Sequence, residues 1–163
     1  MRRTIETEAE MLALGESVAL RCGRHGFIAL YGDLGAGKTV FARGVARAFG
    51  IEHVSSPTFT IVCEYPTEPK LFHFDAYRLS DADELFAIGF DDYLAEDAMI
   101  LMEWANLVPE ALPAERLDVL IEGSGVNART VAIETHGKRH FGDFPGKTYP
   151  TLQWSCRKMF QFI

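Results

Sequence analysis

Phe27-Ile28-Ala29-Leu30-Tyr31 runs directly into Gly32-Asp33-Leu34-Gly35-Ala36-Gly37-Lys38-Thr39, and the architecture hangs on these thirteen residues. The first five form a short continuous apolar run, the pattern of a strand covered on both faces. The next eight match G-x-x-x-x-G-K-[ST] in full. Lys38 to Phe49 then reads as a helix, with Phe41, Val45, Ala48 and Phe49 on one stripe and Gly50 as the stop. A triphosphate packs several negative charges into a small volume. Backbone N–H groups must converge on it, and glycines let the chain wrap that tightly. A helix opening at Lys38 adds its dipole and its unpaired N–H groups. In this reading the Lys38 ammonium bridges the outer phosphates and the Thr39 hydroxyl ligates Mg²⁺. The order strand, Gly-rich turn, helix separates a phosphate cradle from a chance match.

On the N-terminal side, Thr7 to Cys22 reads as a helix. Thr7 with Glu10 forms a capping box, and Met11, Leu14, Val18 and Cys22 fall on one face. On the C-terminal side, Phe59 to Tyr65 and Lys70 to Tyr77 read as strands. Pro66-Thr67-Glu68-Pro69 between them is turn chemistry, which makes the pair an antiparallel hairpin. Ser80 with Asp83 opens a short helix that Gly89 ends, and Ala98 to Trp104 is a buried-type strand. Arg116 to Glu122 and Arg129 to Thr135 alternate apolar and polar residues across Gly123-Ser124-Gly125-Val126-Asn127, a second hairpin. Strand–helix units mixed with hairpins predict an α/β fold of the P-loop NTPase type: a mixed sheet with flanking helices and antiparallel hairpins.

Composition narrows the class. The chain has 163 residues, 48% hydrophobic and 24% charged, which suits one globular domain and excludes wholesale disorder. The net charge of −7 argues against non-specific binding of nucleic acid or anionic membrane over the whole surface. It is uneven: residues 1–136 carry 11 basic and 22 acidic side chains, residues 137–163 five basic and one acidic. The expected organisation is a nucleotide-binding domain at 1–136 and a basic, aromatic C-terminal extension at 137–163. The odd, widely spaced cysteines Cys22, Cys63 and Cys156 read as thiols of a reducing cytosol. Met1-Arg2-Arg3 leads into polar residues rather than a signal core, and apolar runs of about five residues are far below a membrane span. A cytoplasmic protein is expected.

A P-loop site needs a carboxylate at the end of another strand to hold the Mg²⁺ shell. Leu71-Phe72-His73-Phe74-Asp75 and Met99-Ile100-Leu101-Met102-Glu103 each end in an acid, and the sequence does not rank Asp75 against Glu103. His73 and Asp75 share a strand face, but no third ligand is suitably spaced for zinc, so His73 reads as a polar support in the site or core. Ser55-Ser56-Pro57-Thr58-Phe59 suits either a loop near the γ-phosphate or an ordinary connector. Asp75 to Asp97 holds eight acids against one base, Arg78, the pattern of a solvated face. No Asn-Lys-x-Asp guanine reader is present, and no arginine cluster follows the P-loop as a kinase lid would require. Gly137-Lys138-Arg139 reads as a basic surface turn, with an approach to the adenine as its alternative.

The ordered set Gly32–Thr39, Ser-Pro-Thr-Phe (56–59), Phe-His-Phe-Asp-Ala-Tyr-Arg-Leu (72–79), Glu-Leu-Phe-Ala-Ile-Gly-Phe (84–90) and Leu-Met-Glu-Trp-Ala (101–105) closely resembles the TsaE (YjeE) family of small bacterial P-loop ATPases. The resemblance covers about residues 5–136. It implies a role in making N6-threonylcarbamoyladenosine in tRNA, through ATP binding and hydrolysis that support turnover of a complex of two partners, TsaD and TsaB. Contact with tRNA would be only indirect, through that complex. By position it assigns Gly32, Asp33, Leu34, Gly35, Ala36, Gly37, Lys38 and Thr39 to the nucleotide and Thr58 to a switch-like loop. Asp75 and Glu103 fall near the metal and attacking water, and Trp104 beside the site. Lys38, Asp75 and Glu103 would carry catalysis; Thr39, Asp75 and Glu103 would surround Mg²⁺. The alternative class is a small P-loop kinase acting on a small-molecule or nucleotide acceptor.

Overall fold

The computed structural model describes residues 1–138 except Ser56 and Val126; nearly all of the expected C-terminal extension, including Cys156, lies outside the described residues. One seven-stranded sheet organises the chain, in the order β1-β7-β6-β2-β5-β4-β3. Its strands are β1 (Arg2–Ile5), β2 (Gly26–Tyr31), β3 (Val62–Tyr65), β4 (Leu71–Asp75), β5 (Met99–Glu103), β6 (Arg116–Glu122) and β7 (Arg129–His136). The apolar run at 27–31 becomes β2, parallel to both β5 and β6, and β4 lies parallel to β5. Both expected hairpins form: β3 pairs antiparallel with β4, and β6 with β7. The result is the mixed α/β sheet that the sequence predicts. Among the described residues no helix is long and apolar enough to cross a membrane.

Side-chain alternation divides the core in two. Ile28, Leu30, Leu71, Met99 and Leu101 face one layer, packed under α1 (Glu8–Arg21) and α2 (Lys38–Arg47). Phe27, Ala29, Phe72, Phe74, Ile100 and Met102 face the other, under α3 (Ala82–Ala87) and α4 (Phe90–Ala95). Phe90 stands edge-on to Phe74 at 5.2 Å and to Phe27 at 6.4 Å, the arrangement that aromatic quadrupoles favour. The two helices of the first layer touch backbone to backbone. A Cβ on Gly15 would fall 2.3 Å from the Phe41 carbonyl oxygen, and one on Gly44 would fall 2.2 Å from that of Leu12. This close crossing seats α2, and with it the end of the Gly-rich loop, firmly against the sheet.

Local signals resolve with small shifts. Thr7 caps α1 by accepting from the Glu10 N–H at 3.2 Å, but the Glu10 carboxylate reaches back to the N–H of Glu6, one residue beyond the expected box. α3 is capped by Asp81, which accepts from the Glu84 N–H, rather than by Ser80 with Asp83. Gly89 does end that helix, and in a left-handed conformation it also opens α4, which the sequence reading does not contain. Strand β1 is likewise new. Seven of the eight acids between Asp75 and Asp97 are exposed, as a solvated face requires. Several serve the short helices: Asp81 caps α3, Asp83 and Glu84 lie in its first turn, and Asp91 and Asp92 in that of α4.

Candidate nucleotide site

The register that builds the core also builds the site. His73 and Asp75 alternate with Phe72 and Phe74, so they take the α2 side of β4; Glu103 takes the same side of β5. Asp75 and Glu103 are direct cross-strand partners, and Glu103 in turn pairs with Leu30 near the end of β2. The carboxyl ends of three parallel strands therefore converge where the Gly-rich loop leaves β2, the usual ligand crevice of such sheets. Gly32 makes the first bend at φ +144°, where a Cβ would fall 2.4 Å from the Ile121 carbonyl oxygen. Gly37, left-handed, is the N-cap of α2 without any side-chain cap. The first amides of that helix are left for a ligand to satisfy.

Lys38 is 5% exposed. Its Nζ donates to the carbonyls of Gly32 at 2.6 Å and Asp33 at 2.9 Å, and it lies 3.6 Å from the centroid of the Trp104 ring. Burial lowers the Lys38 ammonium below the ordinary lysine range, while the charges of Glu103, Asp75 and Asp33 pull it back up. Thr39 donates its hydroxyl to Glu103 Oε2 at 3.2 Å. The other oxygen of Glu103 lies 3.0 Å from His73 Nε2, with both side chains almost fully buried. An ionised Glu103 can only accept there, so His73 donates and fixes the carboxylate's orientation. His73 is thus the polar support that its strand position suggests. Asp75 is also buried, and one of its oxygens accepts the Tyr77 N–H at 3.0 Å.

Trp104 stands at φ +59°, a left-handed conformation that costs a bulky residue roughly 1–3 kcal/mol. It holds the indole over Lys38 and against the Tyr77 ring, 4.9 Å away. Thr58 stands in a 3₁₀ turn, Pro57–Phe59. The turn is tied to the site through Ile61, whose N–H donates to the Pro57 carbonyl at 2.8 Å and whose carbonyl accepts from the Asp75 N–H at 2.9 Å. Its Phe59 lies under the Arg78 guanidinium at 4.4 Å. Arg43, by contrast, faces Glu8 of α1 at 3.9 Å.

The donor set suits a magnesium–triphosphate. Magnesium usually takes one or two carboxylates together with phosphate oxygens and waters, rather than an all-protein cage. Thr39 and Glu103 offer a hydroxyl and a carboxylate already in contact at the foot of the Gly-rich loop. Among the described residues no group of three His, Cys, Asp or Glu side chains forms a metal cage.

A parallel-centred sheet with a Gly-rich loop joining its central strand to a buried-lysine helix defines the class of α/β proteins with a Walker-type loop. Comparison then fixes the family. The family model described as threonylcarbamoyl adenosine biosynthesis protein TsaE matches residues 5–131, and the chain belongs to the TsaE family. A protein of Bacillus subtilis, "tRNA threonylcarbamoyladenosine biosynthesis protein TsaE", is 39% identical over 140 residues, 85% of this chain and 87% of its own length. The protein of the same name from Haemophilus influenzae is 40% identical over 118 residues, covering 66% of this chain and 75% of that one. The crystal structure of Bacillus subtilis YdiB superimposes with a TM-score of 0.70 at 33% identity, covering 84% of this chain and 86% of YdiB.

Proposed function

We propose that this protein binds and hydrolyses ATP in the service of tRNA threonylcarbamoyladenosine formation, acting in the cytoplasm on a complex of the TsaD and TsaB proteins. The observation that carries the reading is the Thr39–Glu103 contact beside the buried Lys38, at the meeting point of β2, β4 and β5. The names of the relatives support the pathway.

In this mechanism the loop residues Gly32–Thr39 hold the phosphate chain, and Lys38 leaves its carbonyl partners to neutralise the outer phosphates. Thr39 and Glu103 would hold Mg²⁺, which when bound would supply positive charge against the charge building on the phosphates. Glu103 stands in contact with Thr39, the other oxygen ligand offered at the loop, and His73 fixes its orientation, so the metal role falls to it. Asp75, its neighbour one strand away, orients the attacking water. The water oxygen bonds to the γ-phosphorus, the bond to the bridging oxygen breaks, the water's proton passes to a phosphate oxygen or through Asp75 to solvent, and ADP and phosphate leave. Positioning and charge neutralisation supply most of the acceleration.

The isolated chain is a slow ATPase under this reading. Arg43 lies against Glu8 of α1 and Arg78 against Phe59 rather than at the loop, so a cation beyond Lys38 would come from a partner. Leu34 in the loop is 78% exposed and Phe59 beside β4 80% exposed, large apolar side chains left open on segments that bound the site. Such side chains suit a protein surface closing over it. Phosphate release measured with and without the purified TsaD–TsaB pair tests this. A rate raised roughly tenfold or more by the pair is expected, since cations supplied in trans have effects of that size or larger. Equal rates would refute partner completion. The kinase alternative predicts phosphoryl transfer to an added hydroxyl acceptor in place of phosphate release.

A further inference from the structure

Arg129 opens β7, on a hairpin that the reading above does not use. Its side chain makes three hydrogen bonds, all to backbone carbonyls: Nε to Ala36 at 2.9 Å, one terminal nitrogen to Gly125 at 2.7 Å, and the other to Asn127. Among the described residues it forms no ion pair. Two of the contacts close its own turn. The third reaches 93 residues back along the chain into the Gly-rich loop. The same hairpin braces that loop a second time, because the Ile121 carbonyl of β6 fills the space where a Gly32 side chain would lie. A third detail concerns the arginine's stem. Gly123 stands at φ +108°, where a Cβ would fall 3.0 Å from the Ala128 carbonyl oxygen and 3.3 Å from the Arg129 Cδ, so the stem crosses the hairpin against a position that favours glycine on its own account.

The chemistry of the peptide unit makes the Ala36 contact consequential. In a trans peptide the C=O and the following N–H point in opposite directions. A guanidinium that holds the Ala36 carbonyl outward therefore aims the Gly37 N–H the other way, away from the hairpin. Flipping this peptide turns ψ of Ala36 and φ of Gly37, and Gly37, at φ +112°, has no Cβ to oppose that rotation. A flipped peptide would present a carbonyl oxygen to the phosphates.

We propose that Arg129 is a positioning residue of the nucleotide loop, a latch from the β6–β7 hairpin that sets the Ala36–Gly37 peptide with its N–H turned into the cradle. The inference rests on the reading of Gly32–Thr39 as an ATP cradle. Removing the latch costs preorganisation rather than a ligand contact. Arg129→Met keeps much of the stem's packing and loses the three bonds; Arg129→Lys keeps the charge and spans only part of the fork.

Two measurements separate this proposal from the reading beneath it. The first is amide hydrogen exchange of the nucleotide-free protein. Arg129→Met is expected to speed exchange at residues 33–38 about tenfold while the amides of β6 and β7 away from the turn keep their wild-type rates. The second is the affinity for Mg·ATP, expected to weaken about tenfold in Arg129→Met, the scale of one charge-assisted hydrogen bond, with partial recovery in Arg129→Lys. Exchange that rises throughout β6 and β7, with a lowered melting temperature, would reduce Arg129 to a hairpin staple and overturn the proposal. So would unchanged loop exchange. Wild-type protein that fails to bind Mg·ATP would sink the ATP reading, and the exchange experiment would still decide whether the latch exists.

Discussion

Alanine in place of Lys38 is expected to lower ATP turnover by at least about a hundredfold, both alone and with the TsaD–TsaB pair. The ammonium is the positive side chain buried at the loop, and it already makes two hydrogen bonds to loop carbonyls. In an environment that excludes water, its attraction for phosphate is weakly screened. Its loss also leaves Glu103 and Asp75 facing a polyanion with one fewer compensating charge. ATP affinity should fall with turnover, since the contact exists in the bound ground state and strengthens in the transition state. The head group sits at the loop rather than in either apolar layer, so the variant should fold, and its thermal unfolding curve is the control. Wild-type turnover in a folded Lys38→Ala protein would remove the loop from the mechanism.

Glutamine in place of Glu103 has the second largest expected effect, a loss of turnover of about a hundredfold with ATP binding through the loop largely retained. The amide keeps the length and one acceptor, so Thr39 and His73 each retain a partner of changed polarity. The negative charge that would draw a divalent cation is gone. The dependence of ATP affinity on Mg²⁺ should therefore flatten in Glu103→Gln. Asp75→Asn should lower the catalytic rate while leaving that dependence in place. A pH signature accompanies the change. Burial holds the Lys38 ammonium low and the Glu103 charge opposes it, so removing the charge lowers Lys38 further. ATP affinity, which needs the ammonium, should then begin its alkaline decline at lower pH in the variant than in wild type. An Mg²⁺ dependence that vanishes in Asp75→Asn and survives in Glu103→Gln would reverse the two roles.

Much of this architecture is legible in the residues because local and long-range demands agree. The run at 27–31 is apolar throughout and becomes the strand with parallel neighbours on both sides. The alternation at 116–122 and 129–135 becomes a half-covered antiparallel hairpin, as expected. Where the signals are weak, the reading slips. β1 buries only Ile5 of its four residues, and an edge strand with so little apolar content carries no periodicity to detect. Ser80 and Asp81 are both good caps, each followed three residues later by an acid, and the chain uses the second. Gly89 stops one helix and starts another, because a left-handed residue can serve either end.

The site divides in the same way. The Gly-rich turn at Gly32–Thr39 is contiguous and legible as a motif, and the structure sets it between β2 and α2 as the sequence order requires. The two strand-end acids are legible as candidates, but separating their roles needs the side-chain partners. Only the fold brings Thr39 and His73 to opposite oxygens of Glu103. The indole of Trp104 over Lys38 depends on a backbone conformation that no propensity would assign to tryptophan. Arg129 leaves no signal at all in the sequence, because its link to the loop exists only once β6 has been laid beside β2.

Calorimetric titration of the wild-type chain with Mg·ATP, run at two temperatures so that a chance zero of enthalpy is not mistaken for silence, bears on all of this at once. Saturable binding of about one nucleotide per chain, abolished or much weakened in Lys38→Ala, is the predicted result. Absence of any association at millimolar nucleotide at both temperatures would contradict it.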